Sequence, residues 1–175
     1  MDKNAKYIVV VGDVGEAWRV VEGIMIDHAS AWTARVVTPT IGHNGAEELF
    51  EKLRPSSYKN SDVVIIGFSV YRRETFDRVR SVFVPEVKEH RPGVPIILIG
   101  YERMTYSKYS AEKKGKAWAV TKAECQSFVE EMGFVSCYFC DALTMESIRP
   151  AVEQGLAARI LQQQKLEEKK RCVLL

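Results

Sequence analysis

Three places in this sequence carry residue types and spacings that could do chemistry. The first is Gly12-Asp13-Val14-Gly15-Glu16-Ala17, which follows the apolar run Tyr7 to Val11. A phosphate-cradling loop reads G-x-x-x-x-G-K-[ST], with a lysine for the polyphosphate and a hydroxyl for Mg²⁺. Here only two residues separate the glycines, Glu16 stands at the lysine position and Ala17 at the hydroxyl position. A carboxylate there repels phosphate, and Ala17 offers a metal ion no oxygen. The second place is Cys137-Tyr138-Phe139-Cys140. Its C-x-x-C spacing suits zinc or a dithiol, but positions three apart in a strand face opposite ways, and zinc needs four ligands. The third is the terminal Cys172-Val173-Leu174-Leu175, a C-a-a-X box whose last leucine favours a geranylgeranyl group on Cys172. His28, His43 and His90 are scattered, and the neighbours Glu47 and Glu48 do not converge on a helix.

These residues must be positioned by an alternation of strands and helices. Tyr7 to Val11, Ala34 to Val37, Asp62 to Val70, Pro95 to Ile99 and Ser136 to Cys140 read as short strands, most of them apolar on both faces. Between them, Glu16 to His28, Glu47 to Leu53, Glu74 to His90 and Thr121 to Met132 read as helices. Arg54-Pro55 is expected to end the second of these, and Pro85 to kink or split the third. Thr121 and Glu124 have capping-box spacing. Ile148, Val152, Leu156 and Ile160 step along a last helix in which Gly155 is a slight weakness, and Gln162 to Arg171 is expected to fray into a tail. Tyr101 to Ala119 shows no clean period. The pattern predicts an α/β fold, a parallel sheet with helices on both faces, whose ligand loops follow Val11, Val37, Val70, Ile99 and Cys140.

Composition narrows the classes. The 175 residues suit one domain, and 46% hydrophobic with 27% charged is a globular mix. A formal net charge of +2 gives no case for nucleic acid. No apolar run reaches the roughly 18 residues of a membrane span, and the polar stretch Met1 to Lys6 reads as no secretory signal. Four cysteines are too sparse for a disulfide scaffold and fit a reducing compartment.

Several segments together resemble the Rho family of small GTPases, from Tyr7 to the terminus. Glu47 to Tyr58 (EELFEKLRPSSY) is similar to the segment after that family's D-x-x-G motif. Asp62 to Val70, Phe83-Val84-Pro85-Glu86-Val87 and Pro95 to Gly100 follow the family in order and spacing. Cys140-Asp141-Ala142-Leu143-Thr144 resembles its guanine-contacting C-S-A-L/K-T stretch, and the polar stretch Tyr106 to Lys116 falls where the family carries an insert. The resemblance implies a small-GTPase-like, P-loop NTPase-type sheet. It divides the chain into a G domain over residues 1–164 and a tail over 165–175 that holds Lys165, Lys169, Lys170, Arg171 and the lipidation box.

The departures from the family pattern fall on the residues that handle nucleotide. Counting back from Leu53-Arg54-Pro55, the D-x-x-G positions become His43 and Ala46, and the water-orienting glutamine becomes Glu47. The [NT]-K-x-D motif becomes Tyr101-Glu102-Arg103-Met104, and Met104 accepts no hydrogen bond from guanine as the family's aspartate does. Asp141 replaces a serine and brings a carboxylate toward the guanine oxygen, beside Ala142. Each loss is worth about 1–3 kcal/mol, so four or five would erase nanomolar affinity. The stretch between Gly15 and Glu47 is also short for the family. Thr38 to Ile41 reads as a switch I remnant, or Ala34 to Ile41 as the strand leading into D-x-x-G. The right-handed crossover favours the second, giving five parallel strands without the edge strand and switch I. Trp18 is then free to fill vacated space.

The expectation is a Rho-like signalling protein without catalytic residues or a metal site. Gly12, Asp13, Gly15, Glu16, Ala17, Asp141 and Ala142 would be nucleotide-site remnants. It would bind no cofactor, act on regulators or effectors of Rho-type signalling, meet a prenyl-binding chaperone, and sit on the cytoplasmic face of a membrane in exchange with the cytosol. The alternative is a divergent GTPase that still binds GTP or GDP with Mg²⁺ through the Gly12–Gly15 loop. A third reading, a generic doubly wound binding module, explains neither the Glu47–Tyr58 segment nor the terminal box.

Overall fold

The computed structural model describes residues 6–12, 32–36, 46–103, 119–141 and 148–173. In chain order these form β1 (Lys6–Gly12), β2 (Trp32–Val36), α1 (Ala46–Tyr58), β3 (Val63–Ser69), α2 (Arg73–Arg78), a π-helical turn (Val79–Phe83), α3 (Val84–His90), β4 (Ile96–Arg103), α4 (Lys122–Met132), β5 (Ser136–Asp141) and α5 (Ile148–Val173). The helix expected over Glu16 to His28 lies outside the described residues, as do the stretch 37–45 and the polar stretch 104–118. The five strands make one sheet in the order β2-β1-β3-β4-β5, and every neighbouring pair is parallel. This matches the expected all-parallel sheet. Among the described residues no antiparallel edge strand occurs.

Alternation along the strands builds two cores. Val9 and Val11, Val64, Ile66 and Phe68, and Ile96 and Leu98 face one way, against Phe76, Val79, Phe83 and Val87 of the α2–α3 helix and Phe128 and Val129 of α4. Ile8 and Val10, Val63 and Ile65, and Ile97, Ile99 and Tyr101 face the other, against Ile148, Ala151, Val152 and Leu156 of α5. Both faces are dry, which is why the strands read as continuous apolar runs. Cys137 packs against the first core and Cys140 lies in the second, so the C-x-x-C pair points to opposite faces. The Cys125 thiol and burial push the Cys137 thiol well above its ordinary pKa, so it stays protonated.

Two helices, α1 and α5, depart from the sequence expectation, and the one that holds Pro85 follows it. α1 does not end at Arg54-Pro55 but continues to Tyr58 with Pro55 inside it. Tertiary anchoring offsets the missing N–H. Arg54 holds Glu86 of α3 through Nε (2.9 Å to Oε1) and Nη2 (2.7 Å to Oε2), and its guanidinium lies 5.0 Å from the Phe83 ring centre. Pro85 does interrupt its helix. An α-helical turn would drive its ring into the Ser81 carbonyl, and the chain widens instead, with the Val84 N–H donating to the Val79 oxygen five residues back. The tail expected after Gln162 is helical through Val173. Its Gln, Lys, Glu and Leu residues are strong helix formers, and Glu167 precedes Arg171 by the favourable four residues. Gly155 is not a mere weakness, since a Cβ there would lie 2.7 Å from Cγ1 of Val63; the glycine lets α5 approach the sheet.

α4 starts where the capping box puts it, with the Thr121 hydroxyl accepting the Glu124 N–H at 3.2 Å. The Glu124 carboxylate turns to Arg73 rather than back to its own helix. Arg80 likewise meets Glu131 through two bonds of 2.6 Å while lying 4.8 Å from the Phe128 ring centre. These pairs are exposed and worth little individually. Thr121→Ala is expected to cost about 1 kcal/mol, a fall in Tm of about 2–4 °C in a thermal melt.

Candidate nucleotide crevice

In a sheet of order 2-1-3-4-5 the chain winds outward in both directions from the β1/β3 pair, and a crevice opens at the carboxyl ends of those two strands. Gly12 ends β1 and pairs with Gly67 of β3. The approach is close, for a Cβ on Gly12 would lie 2.1 Å from the Gly67 carbonyl oxygen, and Gly12 adopts φ 142°. Gly12 is therefore fixed by strand packing as well as by any loop that follows it.

β4 runs past Gly100, where the sequence expectation ended it, to Arg103. Tyr101 takes the α5-facing side of the strand, is 1% exposed, and lays its ring over Gly67. The Val70 N–H donates to the Tyr101 carbonyl at 3.2 Å, and the Val70 carbonyl accepts the Ala119 and Val120 N–H groups at 2.8 and 3.1 Å. The carboxyl end of β3 is tied to α2 as well: the Thr75 hydroxyl accepts the Ser69 N–H at 3.0 Å and donates to the Arg72 carbonyl at 2.7 Å. A register shift between Tyr101 and Arg103 sets Arg103 opposite Asp141, the last residue of β5.

The sheet thus gathers Gly12, Glu102 and Asp141 at one end, with Glu102 and Asp141 half-buried. They do not converge on a point. Three strand spacings separate β1 from β5, about 14 Å. Ala46 and Glu47 open α1. Asp13, Gly15, Glu16, Ala17, His43, Met104 and Ala142 lie outside the described residues, as does Trp18. Sequence reasoning did not expect Tyr101, directly after Pro95 to Gly100, to lie in β4 and in the α5-facing core.

Cys172 lies at the other end of the molecule. α5 starts after β5 and runs back along the sheet, so that Gly155 reaches Val63 at the start of β3, and Arg159 stands 3.6 Å from Asp62. That carboxylate also accepts the Tyr7 N–H at 3.0 Å, which pins the start of β1. Cys172 follows Arg159 by thirteen residues of helix, about 20 Å beyond the sheet's amino edge. Among the described residues no cluster of three or more His, Cys, Asp or Glu could hold a metal ion, and no helix is long and apolar enough to cross a membrane.

A doubly wound parallel sheet with its crevice at the β1/β3 switch point defines an open α/β fold of the nucleotide-binding type. Residues 29–161 match the Ras family model, a span that begins after the Gly12–Gly15 loop and ends before Cys172. The chain is 31% identical over 144 residues to the GTP-binding protein RHO1 of Candida albicans (strain SC5314 / ATCC MYA-2876), an alignment that covers 81% of this chain and 73% of that protein. The chain belongs to the Ras family of small GTPases and is a Rho-like signalling protein within it. Proteins of that kind bind regulators and effectors.

Proposed function

We propose that this Rho-like chain neither holds guanine nucleotide tightly nor hydrolyses it, and acts by protein–protein contact at a membrane to which Cys172 attaches it. One observation carries the reading: substitutions fall together on every separate group of nucleotide-handling positions. Glu16 and Ala17 replace the phosphate lysine and the Mg²⁺ hydroxyl, His43, Ala46 and Glu47 replace the D-x-x-G set and its glutamine, and Met104 and Asp141 replace the guanine contacts. The described residues at the crevice also suit a nucleotide poorly, because Glu102 and Asp141 set carboxylates at the strand ends. Partners would be regulators or effectors of Rho-type signalling.

The deciding experiment is nucleotide content. The purified chain is denatured, its supernatant run on an ion-exchange column, and the native protein titrated with a fluorescent GTP analogue with and without Mg²⁺. The expected result is no co-purifying nucleotide and no binding at micromolar concentration. GDP or GTP at close to one per chain would overturn the reading. It would install the second one, a divergent GTPase that binds through the Gly12–Gly15 loop.

The anchor has its own test. One prenyl chain holds a membrane only weakly, so exchange with the cytosol, aided by a prenyl-binding chaperone, is expected. Lys165, Lys169, Lys170 and Arg171 supply a modest second attraction on the exposed end of α5. Cys172→Ser should move the protein from the membrane to the soluble fraction. Unchanged partition of that variant would remove lipidation from the account.

A further inference from the structure

The α2–α3 helix and α4 pack on the same face of the sheet and meet through two rungs of opposite charge. Arg73 pairs with Glu124, and Arg80 with Glu131. From one rung to the next the chain advances seven residues on both helices, 73 to 80 and 124 to 131. The helices therefore run the same way, and the rungs stand about 10 Å apart. Between the rungs lies a groove lined by Phe76, Asp77, Ser127 and Phe128. Its floor is closed. The two rings are 5% and 3% exposed and lie 5.1 Å apart, with the Arg73 and Arg80 guanidinium groups against them. An apolar segment would find little to bury here. The walls are open: Arg73, Asp77, Arg80, Glu124 and Glu131 are 35–57% exposed, and Ser127 is exposed as well.

The α2 side reads positive, negative, positive at Arg73, Asp77 and Arg80, and the α4 side reads negative, hydroxyl, negative at Glu124, Ser127 and Glu131. Each step of one row complements the other, because a serine hydroxyl donates to a carboxylate. Two copies stacked face to face about a two-fold axis parallel to the helices would set α2 of each over α4 of the other, in register. An axis across the helices would instead set Arg73 on Arg80 and Glu124 on Glu131, which repels. The pairs within one chain do not block this, since a guanidinium has more donors, and a carboxylate more lone pairs, than one pair uses.

We propose that the α2/α4 face is a docking surface for a second copy of this chain, with Arg73 and Arg80 of each copy meeting Glu124 and Glu131 of the other. The contact is small. α4 has 11 residues, about 16 Å of helix, and two packed helices are about 20 Å wide, so each copy covers roughly 300 Å². That area suits a weak, reversible dimer and not a permanent one. The dimer is independent of whether nucleotide is held.

Sedimentation velocity of the full-length chain tests it. The expected result is a monomer at about 1 μM that gives way to a dimer by about 500 μM in low salt, and a return to monomer in about 0.5 M salt. R73E/R80E has two acidic rows and E124R/E131R two basic ones. Each alone should stay monomeric, and a one-to-one mixture should sediment as a heterodimer. R80Q/E131Q neutralises one rung without stranding a charge and should weaken association at least about tenfold, which keeps the test open if the reversals disturb folding. A wild type that is monomeric throughout overturns the proposal and leaves the face to a partner of another sequence. So does a dimer that R80Q/E131Q leaves unchanged, or folded reversal variants that dimerise alone or fail to pair when mixed.

Discussion

Glu86→Ala should destabilise the protein by about 3–5 kcal/mol, a large share of the 5–15 kcal/mol that holds a domain of this kind together. Arg54 is 2% exposed, and its guanidinium stays charged at any working pH. Without Glu86 that charge keeps the Phe83 ring beneath it but loses its bidentate carboxylate. Tyr58 offers no substitute anion. Burial first, and the Glu86 charge second, push its hydroxyl far above the ordinary tyrosine pKa. Arg54→Met should cost less, because the carboxylate it strands is 14% exposed and retains some water. The double variant R54M/E86L should recover much of the loss, since buried ion pairs replaced by apolar residues are often neutral. Urea unfolding of the three variants measures this. A loss below 1 kcal/mol in Glu86→Ala would place the pair among ordinary surface bridges and contradict the packing described here. The pair matters for the site because α1 begins at Ala46 and Glu47, and Arg54 fixes that helix against α3.

How much was legible in the sequence followed from the range of the forces involved. β1, β3, β4 and β5 were visible because burial on both faces leaves uninterrupted apolar runs, and the start of α4 was visible because the Thr121 cap is a local bond. The length of α1 was not, since Pro55 argues locally for a stop while its anchor, Glu86, is supplied by a helix 32 residues away. The continuation of α5 was hidden by polarity, although propensity alone favoured a helix over Gln162 to Arg171. In the crevice, motif order placed Gly12, Glu102 and Asp141 at one end of the sheet, as the parallel topology requires. The burial of Tyr101 was illegible because it depends on a diagonal contact between β4 and a glycine of β3. The contact between Cys125 and Cys137 was illegible for the same reason, being a meeting of α4 with β5.

Gly12→Ala should cost about 2–6 kcal/mol, the sum of two penalties of about 1–3 kcal/mol each. The first is conformational, for φ 142° is a region that L side chains rarely adopt. The second is steric. The new Cβ would meet the Gly67 oxygen at 2.1 Å, and the obstacle is sheet backbone that cannot rotate away as a side chain would. Gly93→Ala separates the two. It also has a positive φ, 75°, but nothing lies within 4 Å of its Cβ position, so it should cost only the conformational part, about 1–2 kcal/mol. Thermal or urea unfolding of both variants gives the difference. A Gly12→Ala penalty no larger than that of Gly93→Ala would mean that β1 and β3 do not approach as described. The comparison also bears on function. A glycine kept only to cradle phosphate would tolerate alanine without loss of stability and reveal itself in ligand binding. A glycine kept by the β1/β3 contact is required whether or not a nucleotide ever binds, and its presence in the sequence is then no evidence for a working phosphate loop.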